Sequence, residues 1–100
     1  MVEKVQLNGG PEKSVTWIWL EKGQLKVEYY DFSVPAQKLF GNDIAWTITV
    51  NDMDSLYSSL GQNEDTLISW MEHYFKSYFG IKQWLEEHEI DFSMQRESWA

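Results

Sequence analysis

Two stretches of β-forming residues flank a short Lys22-Gly23 turn, and this pattern restricts the possible folds more than any other part of the chain. Residues 14–20 and 25–30 are rich in Val, Ile, Thr, Trp and Tyr, which favour strands. A two-residue loop that contains glycine predicts an antiparallel hairpin. The loop length also determines which residues of the two strands lie opposite each other.

The predicted register gives the hairpin two different faces. One face carries three mainly apolar pairs: Leu20 with Leu25, Ile18 with Val27, and Thr16 with Tyr29. The other face combines large aromatic side chains with charged or apolar neighbours: Trp19 with Lys26, Trp17 with Glu28, and Val15 with Tyr30. Because opposed residues share a face of the sheet, the first set predicts a core face and the second predicts a half-exposed surface.

Alternation of apolar and polar residues predicts two more strands in the N-terminal half. Val5 and Leu7 indicate a short first strand, which the turn-forming segment 8–11 ends. Residues 44–50 alternate cleanly, as a half-buried strand does. Residues 33–41 fit either a short helix or a turn-rich loop.

Helical spacing of apolar residues begins after this last strand. Residues 53–60 carry apolar side chains three and four positions apart, which predicts a helix. Either Asp52 or Asp54 can cap its N-terminus, and Gly61 is placed to end it. The first half of the chain is therefore predicted to be mainly strands, and the second half is predicted to open with a helix.

Two further helices and a final strand are predicted after Gly61 in the sequence. The longest helix is expected over residues 63–79, with an asparagine cap at its start and Gly80 as its stop. A short helix is predicted around residues 81–88, and alternation over residues 90–95 predicts a strand that returns to the sheet edge. Residues 96–100 are expected to form a loose tail.

The order of these elements predicts an α+β fold. Strands followed by helices suggest an antiparallel sheet of about four or five strands, mainly N-terminal, with two or three C-terminal helices packed on one face. The chain has 100 residues, which is enough for one hydrophobic core and too few for two. We therefore expect a single domain over residues 1–100.

Charge is distributed unevenly along the chain, whose net charge is −8 at pH 7. Residues 1–50 hold six acidic and five basic residues, a net of −1, whereas residues 51–100 hold ten acidic and three basic residues, a net of −7. Binding of nucleic acids or anionic lipids needs clustered Lys and Arg. We therefore expect no direct binding of nucleic acid or membrane, and an acidic surface that suits a basic protein partner.

Three sequence features concern the compartment in which the protein works. No apolar stretch approaches the roughly 20 residues that a membrane-spanning helix needs. The first residues also lack the basic-then-apolar pattern of a secretory signal. The chain contains no cysteine, which excludes disulfides. We therefore expect a cytoplasmic protein.

The sequence contains no recognisable catalytic or metal-binding motif. Residues 52–54 begin like a calcium loop, but Leu56 and Tyr57 stand where a ligand and a glycine are required. His73 and His88 do not have the spacing of a zinc site. Nucleotide-binding and hydrolase signatures are absent as well. We therefore expect no metal, no cofactor and no enzymatic activity.

Two sets of residues are candidates for a partner-binding surface. The first consists of four carboxylates within six residues: Glu86, Glu87, Glu89 and Asp91. Such a set can pair with Arg and Lys of a basic protein or simply form a solvated face. The second set is the aromatic side of the hairpin: Trp17, Trp19 and Tyr30. Aromatic side chains of this kind are enriched at interface hot spots, although other parts of the chain could instead cover them.

These features lead to two main hypotheses of function, beside a third, an acid–base hydrolase, which would require a pocket with two carboxylates of divergent pKa. The first is a small acidic binding protein that masks a basic surface of a partner such as a toxin or nuclease, as immunity and inhibitor proteins do. The alternative is an assembly module that self-associates into a homodimer through the aromatic face of the 14–30 hairpin. The sequence does not show whether the two sets of residues share one surface.

Overall fold

A computed structural model describes residues 4–7, 14–31 and 44–98, and within them it has an α+β fold. Five strands and three helices follow each other in the order β1 (Val5–Leu7), β2 (Ser14–Glu21), β3 (Gln24–Asp31), β4 (Ile44–Val50), α1 (Met53–Leu60), α2 (Leu67–Tyr74), α3 (Tyr78–Glu87) and β5 (Phe92–Ser98). The strands form one antiparallel sheet in the order β1-β2-β3-β4-β5. The predicted fold class is confirmed. The turn at 8–11 and the segment 33–41 lie outside the described residues. In the described part of the chain, no helix is both long and apolar enough to cross a membrane.

The central hairpin has the register that the sequence predicts. In β2 and β3, Ile18 lies opposite Val27, and Trp17 lies opposite Glu28. Lys22 and Gly23 both have positive φ angles, 53° and 77°. Two left-handed residues make the turn type whose twist matches that of paired strands, and glycine adopts this conformation without steric cost.

The predicted core face of the hairpin is buried beneath the helices. Its residues pack in one cluster with β1, β4 and the inward faces of all three helices. The members that are at most 2% exposed include Leu7, Ile18, Leu25, Val27, Ile48, Val50, Leu56, Leu67, Met71, Ile81 and Leu85. Full burial of an aliphatic side chain of this size contributes about 1.5–3 kcal/mol. The sheet and the helices therefore stabilise each other through a single apolar layer.

Helix α1 has the ends that the sequence predicts. The Asp52 carboxylate accepts hydrogen bonds from the Ser55 backbone N–H at 3.1 Å and from the Ser55 hydroxyl at 2.7 Å. These bonds lower the pKa of Asp52, because they stabilise its charged form. At the other end Gly61 has φ 66° and donates its N–H to the Tyr57 carbonyl.

The predicted long helix over 63–79 is wrong, because the chain breaks into two helices there. Phe75 and Ser77 have extended backbones, with ψ angles of 145° and 166°. This break lets Phe75 and Tyr78 both reach the core, where they are 6% and 2% exposed. Gly80 therefore lies inside α3 instead of ending a helix. Asn63 still caps the turn before α2, since its Oδ1 accepts the backbone N–H of residues 65 and 66.

Strand β5 returns to the sheet edge beside β4, as predicted, and continues into the residues expected to be a loose tail. Arg96 lies opposite Trp46, and Ser98 lies opposite Ile44 in the same ladder. Backbone pairing with β4 explains why residues 96–98 form part of the strand instead of a loose tail. Residues 99 and 100 lie outside the described part of the chain.

Candidate functional site

The four carboxylates singled out by the sequence lie together at one end of α3. Glu86 and Glu87 belong to its last turn, and Glu89 and Asp91 lie in the connection to β5. All four residues are exposed. We call these four residues the acidic edge.

Neighbouring side chains bind the acidic edge but neutralise little of its charge. Lys82 Nζ lies 3.2 Å from Glu86 Oε1, and this is the single ion pair between described side chains. The amide of Gln83 donates to Glu87 at 3.0 Å. The amide of Asn51 donates to Asp91 at 3.1 Å. Because amides carry no charge, they orient these carboxylates and leave their negative charge in place.

Backbone strain occurs within the acidic edge, at Glu89. After α3 the Ile90 N–H donates to the Leu85 carbonyl at 3.0 Å, and the Glu89 N–H donates to the Glu86 carbonyl at 3.2 Å. This pair of bonds is the Schellman motif, which places one left-handed residue after the helix, usually glycine. Here that residue is Glu89, with φ 54°. A side chain in this conformation costs about 1 kcal/mol or more.

The electrostatics of α3 also disfavour carboxylates at this position. The C-terminal end of a helix carries partial negative charge and is stabilised by nearby cations. The last turn of α3 contains no basic residue, and Glu86 and Glu87 lie there instead. Local strain and unfavourable charge therefore coincide in the acidic edge, which is common where function competes with stability.

A row of aromatic rings lies beside the acidic edge, across the outer side of α2 and α3. Its members are Trp70, Tyr74, Trp84 and His88, which we call the aromatic row, and the buried Phe75 ring adjoins it from the core. The Trp84 and His88 rings stack with centroids 4.1 Å apart. The Trp70 and Tyr74 rings stack at 4.6 Å, and Phe75 lies edge-on to Trp70 and Trp84. Tyr74 is 59% exposed.

The sequence predicts that the aromatic residues of 67–79 belong to the apolar core face, which holds for Phe75 but not for Tyr74 or Phe79. The predicted apolar face of residues 67–79 filled about half of a helical wheel. A helix that packs on one sheet buries a narrower stripe. The outermost residues of that apolar face, Tyr74 and Phe79, therefore remain 59% and 48% exposed. The width of the apolar face was the signal that could have identified them.

The hairpin aromatics lie on the other side of the sheet from the helices. Trp17 and Tyr30 are half-buried, and Trp19 is 6% exposed. Lys4 Nζ lies 4.3 Å from the centroid of the Trp19 ring, and the Trp19 indole N–H donates to Glu21 at 3.3 Å. Because α3 packs on the opposite face, the hairpin aromatics and the acidic edge do not form one surface.

An apolar hollow of about 260 Å³ opens between α3 and the strands β3, β4 and β5. It is lined by Tyr29, Trp46, Tyr78, Phe79, Lys82 and Met94. The Tyr29 ring lies 4.9 Å from Phe79 and 5.4 Å from Tyr78, centroid to centroid. The Tyr78 hydroxyl is buried and has no hydrogen-bond partner among the described residues.

Alkaline pH is expected to destabilise the protein through Tyr78. Burial, with a smaller contribution from the charge of Glu86, raises the pKa of Tyr78 to about 12. An unfolded tyrosine ionises near pH 10. Between these two values the unfolded chain releases a proton that the folded chain keeps, so the free energy of unfolding falls as pH rises. Urea unfolding at pH 8 to 12 measures this fall.

The matched variant for this experiment is Tyr78→Phe, which removes the unpaired hydroxyl and keeps the ring. We expect it to retain the stability of the wild type at neutral pH, because an unsatisfied buried hydroxyl contributes nothing favourable. Its free energy of unfolding should fall less than that of the wild type as the pH rises from 8 to 12. An identical loss in both proteins would contradict the role of Tyr78.

The described residues do not form a recognisable metal site. Within residues 4–7, 14–31 and 44–98, no three His, Asp or Glu side chains are grouped closely enough to hold an ion. Comparison of the chain with protein families, curated proteins and solved structures finds no match. The function is therefore inferred from the acidic edge and the aromatic row.

Proposed function

We propose that this chain is a small cytoplasmic binding protein that masks a basic surface of a partner protein, as immunity and inhibitor proteins do. The acidic edge is the observation on which this proposal rests. Its carboxylates are exposed, and within the described residues only Glu86 contacts a cation. Their charge is therefore available to pair with lysine and arginine of another molecule.

The local energetics of the acidic edge support a role in binding. Glu89 occupies a left-handed position that glycine would fill with less strain. Glu86 and Glu87 lie at the helix end that favours cations. A solvated face chosen for stability alone would avoid both costs.

The aromatic row supplies anchors for such an interface. Trp84 and His88 belong to the same end of α3 as the carboxylates, and Tyr74 extends the row outward. Tight interfaces combine a few aromatic anchors with a polar rim, and electrostatic attraction speeds their encounter. A basic toxin or nuclease is the class of partner that meets these requirements.

Self-association through the hairpin aromatics is the alternative, and it has less support. Lys4 covers one side of Trp19, and Trp17 and Tyr30 are already half-buried within the chain. The remaining exposed aromatic area of that face is therefore small.

Capture of partners from a lysate of the source organism tests the proposal. The immobilised wild type should retain a basic protein, and a variant that combines Glu86→Gln, Glu87→Gln and Glu89→Gln should retain about a tenth as much. Three exposed ion pairs at about 0.5 kcal/mol each correspond to a roughly tenfold change in affinity. Quantitative mass spectrometry of the eluates provides the measurement.

The control is a second triple variant, which changes the net charge by the same amount outside the acidic edge. Asp54→Asn, Glu64→Gln and Glu72→Gln together also remove three exposed carboxylates. We expect this variant to retain the partner as the wild type does. Equal retention by all three proteins, or equal loss in both variants, would overturn the assignment of the acidic edge.

A further inference from the structure

The apolar hollow differs in chemistry from the rest of the helical half. Three large hydrophobic side chains are notably exposed in the described chain, and two of them, Phe79 at 48% and Met94 at 43%, line this hollow. Exposed apolar surface that converges on one concave site is typical of ligand pockets. The third such side chain, Tyr74, belongs to the aromatic row.

The walls of the hollow are suited to a flat ring. Tyr29, Tyr78 and Phe79 lie within 5.4 Å of one another, centroid to centroid, at tilted or edge-on angles. Trp46 of β4 completes the aromatic lining. Rings in such arrangements offer both faces and edges to an aromatic guest.

The volume limits the size of that guest. A dry cavity of about 150 Å³ lined by apolar side chains accepts benzene. Pockets for drug-sized ligands begin near 300 Å³. The hollow has about 260 Å³, which lies between these values. A ligand with a single aromatic ring or with two fused rings therefore fits.

One cation, Lys82, lines the hollow in an otherwise acidic half of the chain, and Arg96 lies near its Trp46 wall. Residues 51–100 contain three basic residues, and two of them, Lys82 and Arg96, lie at this place. Lys82 lines the hollow and is half-buried. The Arg96 guanidinium carbon lies 5.9 Å from the centroid of the Trp46 ring. Lys82, as the cation in the lining, favours a ligand with an anionic group.

We propose that the apolar hollow binds a small aromatic carboxylate. The ring packs among Tyr29, Trp46 and Phe79, and the carboxylate pairs with Lys82 in competition with Glu86. This site is separate from the acidic edge and does not depend on the proposed masking function.

Titration of the full chain with 2-naphthoate, followed by heteronuclear NMR, tests this proposal. We expect saturable shifts of the Phe79 and Met94 resonances. Lys82→Gln should weaken binding about threefold, as expected for an exposed ion pair. Phe79→Ala should weaken it about fivefold through lost ring contacts. The control Lys76→Gln changes an exposed residue outside the hollow and should leave the affinity unchanged.

An uncharged probe and a positively charged probe complete the test. Both 2-methylnaphthalene and 2-naphthylmethylammonium have the same rings as 2-naphthoate but lack its carboxylate. We expect both to bind more weakly. Equal or tighter binding of either probe, or the absence of shifts at the hollow with 2-naphthoate, would overturn the proposal.

Discussion

Replacement of Thr16 with valine is expected to lower the free energy of unfolding by about 2 kcal/mol. Thr16 is 1% exposed on the core face of β2, where its hydroxyl accepts the Tyr78 backbone N–H at 3.1 Å. That N–H belongs to the first turn of α3 and therefore has no partner within its own helix. Valine preserves the shape of the side chain but leaves a buried donor unpaired.

Thr16→Ser is the matched control, because it keeps the hydroxyl and removes one methyl group. The loss of that methyl should cost about 1 kcal/mol. Urea unfolding should therefore rank the wild type above the serine variant and the serine variant above the valine variant. If valine is as stable as serine, the hydrogen bond between β2 and α3 does not hold the helix in place.

Replacement of Glu89 with glycine is expected to raise the free energy of unfolding by about 1 kcal/mol. Glu89 occupies the left-handed position of the Schellman motif with φ 54°, which glycine adopts without a steric penalty. Loss of one carboxylate from the negative end of α3 acts in the same direction. The variant should also retain less of a basic partner, so that stability and binding change in opposite senses.

Glu89→Gln separates the two causes of this gain. Glutamine removes the charge but keeps a side chain in the left-handed conformation. We expect it to recover only a small part of the stability that glycine adds, as measured by thermal and urea unfolding. If glutamine stabilises as much as glycine, charge repulsion accounts for the cost and the backbone at Glu89 is not strained.

The hairpin could be predicted from sequence because its determinants are local. Lys22 and Gly23 set the turn, and strict alternation along β2 and β3 then assigns every side chain to a face. The ends of α1 were equally local, since Asp52 and Gly61 act within one turn of the helix. Elements of this kind can be predicted from the residues within them.

The break between α2 and α3 could not be predicted because its cause is distant in sequence. The apolar helical pattern continues through residues 75–77, and nothing nearby interrupts it. The extended backbone there brings the Tyr78 N–H to the hydroxyl of Thr16, which lies 62 positions earlier. Tertiary packing overrides local propensity at this point.

The sequence located the acidic edge but did not reveal the apolar hollow. Glu86 and Glu87 were predicted to be on the surface, and they are exposed. The hollow requires the side-by-side placement of α3 and β5, which only the fold provides. The sequence contained one indication of this site. Arg96 lies on the same face of β5 as Phe92 and Met94, and a charged residue on that face indicates that it is not fully buried at the Arg96 end of the strand.

The association rate of the chain with its captured basic partner, measured by stopped flow at several salt concentrations, tests the central claim most directly. Between about 0.01 M and about 0.15 M salt the Debye length falls from about 30 Å to about 8 Å, which screens long-range attraction. The wild type should associate about tenfold more slowly at the higher salt. The variant lacking the charges of Glu86, Glu87 and Glu89 should start slower and depend much less on salt, and the Asp54, Glu64 and Glu72 variant should follow the wild type. The same salt dependence in the wild type and the acidic-edge variant would contradict the claim that these carboxylates guide a basic partner to this surface.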